Sequence, residues 1–188
     1  AKKPYEQMEY EARDVAAKLG VAVLELVPGE HAGSFTLEGG SPAKAAQPGA
    51  AEAGDIALVL HTSGTTARPK IVPLSQANIC ASARHIGATL ALSPADACLN
   101  IMPLFHIHGL IAAVLSSLGA GGAVICTPGF DALRFFRLLD EERPSWYTAV
   151  PTMHQTILTR ADRNAEIIAR AKLRFIRSSS ASLPGPVM

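Results

Sequence analysis

The stretch HTSGTTARPKIVPL occupies residues 61–74, directly after the apolar run IALVL and ahead of an alanine-rich segment of helical character. A strand that ends in Gly, Ser and Thr can fold back so that backbone N–H groups and hydroxyls converge on one point, an anion cradle with little steric cost. A polyphosphate is the natural guest, with Lys70 adding a mobile point charge and Arg68 a second. A Walker A loop, G-x-x-x-x-G-K-[ST], does not fit. Counted from Gly64, its spacing meets Pro69-Lys70-Ile71, where Pro69 lacks an N–H and Ile71 has no hydroxyl for Mg2+. The competing reading of such a cluster is a plain surface turn; the buried strand before it and the Pro-Lys pair after it favour phosphate.

A second group with chemical potential is MPLFHIHGL, residues 102–110, with His106 and His108 two positions apart. Two metal ligands on one strand face would have this spacing, but no third ligand cluster accompanies them, and no metal-binding residue is assigned. Alone, either His reads as a core histidine with its ring nitrogens satisfied, and His108 keeps that reading as a packing or supporting residue. The His-Gly dipeptide also occurs in esterase oxyanion loops, yet no G-x-S-x-G nucleophile elbow exists in the chain, which argues against a hydrolase. A third group, RSSSASLP at 177–184, is either a solvated serine turn or a polar wall beside a ligand.

The elements that must position these groups follow from periodicity. Tyr5, Met8, Ala12, Val15 and Leu19 recur at helical steps after Pro4, predicting an amphipathic helix that Gly20 ends. VAVLELV (21–27) reads as a buried strand, and GGSPAKAAQPGAAEAG (39–54) as a surface connection without chemistry. Strands at 56–61, 97–102, 123–127, 146–150 and 173–177 then alternate with helices at about 75–90, 109–118, 131–142 and within 152–171. That alternation predicts an α/β fold with a largely parallel sheet covered by helices on both faces. Ligands of such sheets lie at the carboxyl ends of the strands, which would gather loops 61–70, 103–108, 150–152 and 178–184 on one edge.

Composition narrows the partners. With 48% hydrophobic residues and a formal net charge of +1 over 188 residues, nothing points to nucleic acid or an anionic membrane. The apolar span 110–125 falls short of the ~20 residues that cross a bilayer and is broken by serines and glycines. Cys80, Cys98 and Cys126, odd in number and widely spaced in apolar surroundings, read as reduced core thiols of a cytoplasmic protein; a peroxisomal address would lie beyond Met188. The chain stops inside a loop just after a strand, and the expectation is a fragment.

With these residues in view, the chain resembles the adenylate-forming enzymes: acyl-CoA synthetases, peptide-synthetase adenylation domains and firefly-type luciferases. Their phosphate loop reads [ST]-S-G-[ST]-T-G-x-P-K-G. Thr62, Ser63, Gly64, Thr65, Thr66, Pro69 and Lys70 fall on it, while Ala67 and Ile71 replace two glycines. MPLFHIHGL is similar to the family's P-L-[FY]-H-x-x-G, and WYTAVPTMHQTIL to its T-x-x-x-V-P-T-x-x-x-x-L passage, where Thr148, Val150 and Pro151 would shape the pocket wall. SSASL at 179–183 stands where the family has G-G-A-P-L: Ala181 and Leu183 match, and Ser179, Ser180 and Ser182 depart. Within the family, the branch that ligates oxalate to coenzyme A is the most similar.

The resemblance implies that residues 1–188 are an incomplete part of an N-terminal AMP-binding domain. It also implies two half-reactions: a small carboxylic acid attacks the α-phosphorus of ATP, and the thiol of coenzyme A then displaces AMP. Thr62, Ser63, Gly64, Thr65, Thr66 and Lys70 would hold the phosphates, with Lys70 and His106 catalytic. His106, Ser180 and Ser182 would meet the acid, and Ala181 would lie along the adenine. Mg2+ is expected on the phosphates. An isolated fragment without the family's later motifs is expected to be inactive.

Overall fold

The structure is a computed structural model that describes residues 4–31, 33–40, 48–62 and 70–188. It divides into two units, Ala1–Ala50 and Ala51–Met188. In the first, helix α1 (Pro4–Leu19) precedes a two-stranded antiparallel ribbon of β1 (Glu25–Pro28) and β2 (Phe35–Glu38). The strand expected at 21–27 is therefore shorter, and its residues are mostly exposed rather than buried. A second strand was not anticipated at FTLE, because four residues between turns carry almost no periodic signal.

The second unit opens with a hairpin, β3 (Ile56–Thr62) paired antiparallel with β4 (Lys70–Ser75). This corrects the expectation that the phosphate motif joins a strand directly to a helix in a parallel sheet. Pro73 makes KIVPL read as the tail of a loop; in a two-stranded ribbon, where each strand has a free edge, a strand tolerates the missing donor. Helix α2 (Gln76–Thr89) follows at once. Ser75 caps it reciprocally, its Oγ accepting from Asn78 N at 3.2 Å while Asn78 Oδ1 accepts from Ser75 N at 3.1 Å.

The remaining strands are β5 (Ala97–Asn100), β6 (Ala123–Cys126), β7 (Trp146–Ala149) and β8 (Phe175–Ser178), in the spatial order β6-β5-β7-β8 and parallel throughout. Between β5 and β6 run α3 (Ile107–Gly109), a π-helix (Leu110–Leu115) and α4 (Ser116–Gly119), joined without leaving helical backbone angles. Helix α5 (Phe135–Glu142) connects β6 to β7; α6 (Pro151–Leu158) and α7 (Ala165–Arg170) connect β7 to β8. α5 ends where Arg143 takes the left-handed conformation, φ 47°, ahead of Pro144. α6 starts on Pro151, whose fixed φ suits a first helical turn.

Strand alternation divides the core between the two faces of this sheet. Leu99 and Tyr147 pack with Phe135, Phe136, Leu139 and Ile157 on the side of α5 and α6. Cys98 and Trp146 pack with Ala113, Leu90, Leu92 and Phe175 on the side of α2 and the π-helix. Full burial of a side chain such as Leu99 or Phe135 is worth about 1.5–3 kcal/mol, and the edge-on ring pair Phe135–Tyr147, 5.0 Å apart, adds to it. Of the three cysteines only Cys98 lies in the core; Cys80 and Cys126 are exposed, so the expectation of three core thiols is corrected.

Gly109 shows why the P-L-F-H-x-x-G pattern ends in glycine. A Cβ built there would collide with the backbone carbonyl of Pro103, which cannot move aside as a side chain could. Gly109→Ala is expected to destabilise the fold by about 1–3 kcal/mol, read as a lower urea midpoint at unchanged slope. A variant as stable as the parent would mean that the turn before α3 is not the tight one described.

Candidate active site

Because β5, β7 and β8 are parallel, the segments that leave their carboxyl ends emerge on one edge of the sheet. Two of the segments singled out from the sequence meet there. His108, at the start of the helical run after β5, is buried, and its Nδ1 lies 3.1 Å from Ser180 Oγ in the loop after β8. Its Nε2 lies 2.6 Å from Thr148 Oγ1 on β7. Thr148, fully buried, also accepts from Arg177 Nη1 at 3.2 Å, and Arg177 Nη2 donates to Ser179 Oγ at 3.3 Å.

The direction of this chain follows from counting protons. Arg177 can only donate, so the Thr148 oxygen accepts, and its own hydrogen is best used on His108 Nε2. His108 then carries its proton on Nδ1 and donates it to Ser180 Oγ. The Ser180 hydroxyl hydrogen is left for a group in the adjoining cleft. This ordering gives the Thr148 hydroxyl and His108 ring protons an acceptor each, and each bond polarises the next.

The electrostatics fit a neutral His108. Burial, reinforced by the positive charge of Arg177 and by the neighbouring His106 and His154, pushes its pKa down from 6.5 to about 4. His106 is exposed and has a different duty, its Nδ1 accepting from His108 N at 3.1 Å to cap α3. In the neutral ring that contact puts the proton on Nε2.

The cleft beside these groups has a volume of about 200 Å³ and is lined by Ser82, Ile86, His106, His108, Arg177 and Ser180, among others. Ser180 holds φ at +75°, left-handed backbone that a side chain occupies at a cost of about 1–2 kcal/mol and that the G-G-A-P-L motif fills with glycine. Its hydrogen bond to His108 offsets part of that cost.

Other residues expected at the site fall differently. Ala181 and Ser182 are exposed and are not among the residues lining the cleft. Thr62 ends β3 and Lys70 begins β4, and the two are partners across the hairpin, so the ends of the phosphate motif are held side by side. Ser63, Gly64, Thr65 and Thr66 lie outside the described residues. Among the described residues no group of three His, Cys, Asp or Glu side chains could hold a metal ion, and no helix is long and apolar enough to cross a membrane.

Sequence reasoning missed Arg177 and undervalued His108. The available signal was strand parity: Arg177 lies two residues after Phe175, which stacks on Trp146, so it occupies a core-facing position in β8.

A parallel sheet with a cleft at its strand ends, together with a Ser/Thr/Gly–Pro-Lys motif, belongs to a recognised class. The profile described as AMP-binding enzyme matches residues 4–188, and the chain belongs to that family. The oxalate–CoA ligase of Arabidopsis thaliana is 51% identical over 131 residues, covering 69% of this chain and 25% of the relative. That of Saccharomyces cerevisiae is 40% identical over 136 residues, 72% of this chain and 24% of the relative. A malonyl-CoA ligase solved as a ternary product complex with methylmalonyl-CoA and AMP superimposes with a TM-score of 0.68 at 30% identity, over 77% of this chain and 31% of that one. The chain thus spans about a quarter of the length of these curated relatives.

Proposed function

We propose that the complete protein carrying this chain is an ATP-dependent acid–CoA ligase for a small dicarboxylic acid, with oxalate the first choice, and that residues 1–188 are part of its N-terminal AMP-binding domain. The observation that carries the choice of acid is the hydrogen-bonded chain Arg177–Thr148–His108–Ser180, buried at Thr148 and His108, which presents a polarised hydroxyl to a cleft of about 200 Å³. A long aliphatic acid would set methylenes against the Ser180 hydroxyl hydrogen and the Arg177 N–H groups that the chain leaves over, at roughly 1–3 kcal/mol for each group cut off from water.

In the first half-reaction a carboxylate oxygen attacks the α-phosphorus of ATP, and pyrophosphate leaves with its electron pair. Thr62, Ser63, Gly64, Thr65, Thr66 and Lys70 hold the β- and γ-phosphates as charge moves onto the leaving group. His106 Nε2–H and the Ser180 hydroxyl aim the attacking carboxylate, which needs orientation more than activation. Ala181 and Ser182 follow along the adenine and the acyl group. In the second half-reaction the thiol of coenzyme A takes the acyl group and AMP departs. Mg2+, carried on the triphosphate, would supply charge neutralisation there; Lys70 supplies this chain's own positive charge.

ATP–pyrophosphate exchange by the complete protein across oxalate, malonate, acetate and a medium-chain fatty acid tests the reading. Oxalate is expected to support the fastest exchange, and residues 1–188 alone to support none. Preference for the fatty acid would overturn the assignment of a small polar acid, and robust exchange by the isolated chain would overturn the view that it needs the remainder of the enzyme.

A further inference from the structure

Resting on the reading that the cleft receives the acid, we infer that Arg177 is a specificity-determining residue: its guanidinium holds the distal negative charge of a dianionic substrate while Ser180 and His106 take the reacting carboxylate. Three observations lead there.

The first is an uncompensated charge. Arg177 sits half-buried on the inner face of β8, and the ion pairs that Arg13, Arg137, Arg170 and Arg174 make have no counterpart for it among the described residues. Its two bonds run to neutral hydroxyls at 3.2 and 3.3 Å, so three of its five N–H groups have no described acceptor. A guanidinium taken from water without a counter-ion is costly, and a site built that way favours an anion. Burial lowers its pKa, as expected where no carboxylate offsets the lost solvation.

The second is the cleft's composition. Its lining includes Arg177 and no other Lys or Arg, and no Asp or Glu. His108 is held neutral there, so the fixed positive charge among the described lining residues is this one.

The third is geometry. Arg177 and Ser180 are joined through Thr148 and His108, and both line the cleft, which sets the guanidinium and the free hydroxyl hydrogen at the two ends of one hydrogen-bonded chain. A monocarboxylate engages one end only. A small dianion can engage both, and Arg offers it a planar fork that Lys does not.

The test uses the complete ligase and compares kcat/KM for oxalate with kcat/KM for acetate in ATP–pyrophosphate exchange. Arg177→Met keeps volume and removes charge; the oxalate-to-acetate ratio is expected to fall at least about tenfold, with KM for oxalate carrying most of the change. Arg177→Lys keeps charge but not the fork and is expected to lower the ratio roughly threefold, which decides the matter if the Met variant fails to fold. A ratio unchanged in the folded variants, or equal losses on both acids, would show that Arg177 serves structure alone and would overturn the inference while leaving the ligase reading intact. A parent enzyme inactive on every small acid would remove the ligase reading and this inference with it.

Discussion

On the proposed activity, replacing His108 with alanine in the complete protein is expected to lower kcat/KM for oxalate by about a hundredfold or more. The imidazole is the middle of the chain that polarises Ser180, and its removal leaves Thr148 Oγ1 without its 2.6 Å partner and Ser180 without the hydrogen bond that offsets part of the cost of its left-handed backbone. A glutamine can reproduce one of the two contacts, so His108→Gln is expected to recover part of the loss. A purely structural histidine would instead give variants whose activity tracks the folded fraction, and that result would contradict the assigned role.

The same residue sets a pH dependence whose sign follows from its pKa. With a folded value of about 4 against 6.5 for the free side chain, the unfolded protein binds more protons between those limits. Stability from neutral His108 is fully present above pH 6.5 and is lost as pH falls toward 4, by about 2 kcal/mol at pH 5. His154, also lowered by burial, contributes in the same direction. Urea midpoints at pH 7.5 and 5 should therefore separate widely in the parent and less in His108→Gln, where the share of His154 remains. Equal separations would rule out a buried neutral His108.

How much of this was legible in the residues depended on how far apart in sequence the partners lie. The parallel sheet declared itself through strands such as ACLN and WYTA set between helical runs, because each buries both faces and reads as an apolar block. The hairpin at 56–75 did so only by half: IALVL marked β3, but Pro73 interrupts β4, so its antiparallel return was not legible. His106 was visible by its motif. The structure puts it at the helix cap and gives the buried contacts to His108, a distinction invisible in H-x-H because it depends on Ser180, 72 residues away. Arg177 was hidden for the same reason, its neighbours Thr148 and His108 coming from two other strand–helix units. Local pattern specifies elements; which polar side chain meets which is decided by sheet order.

The largest effect on folding is expected at the opposite edge of the sheet, where Asp96 ties three strands together. Its buried carboxylate accepts from Ser93 N at 2.9 Å, Ser145 Oγ at 2.8 Å, and Arg174 Nε and Nη2 at 3.0 Å each. These residues precede β5, β7 and β8, and the backbone repeats the clasp through Ser145 N to Ala97 O at 2.9 Å and Arg174 N to Ser145 O at 2.6 Å. Burial alone would raise the pKa of Asp96; the hydrogen bonds from Ser145, Arg174 and Ser93 outweigh it and hold the group below the usual carboxylate range. Its stabilisation is therefore present above pH 3.8 and lost as pH falls through the lower folded value. Asp96→Ala would leave the Ser145 hydroxyl and part of the Arg174 charge without partners, although Arg174 keeps its bonds to Leu90 O and Ala91 O and some access to water. The expected loss is about 3 kcal/mol, read from the urea midpoint, with Asp96→Asn losing less because it keeps an acceptor and the shape. Any Asp96→Ala protein that remains folded should keep the oxalate-to-acetate ratio of the parent, since the clasp and the cleft lie at opposite ends of the same strands. A loss under 1 kcal/mol would mean that the backbone bonds hold this edge without the carboxylate.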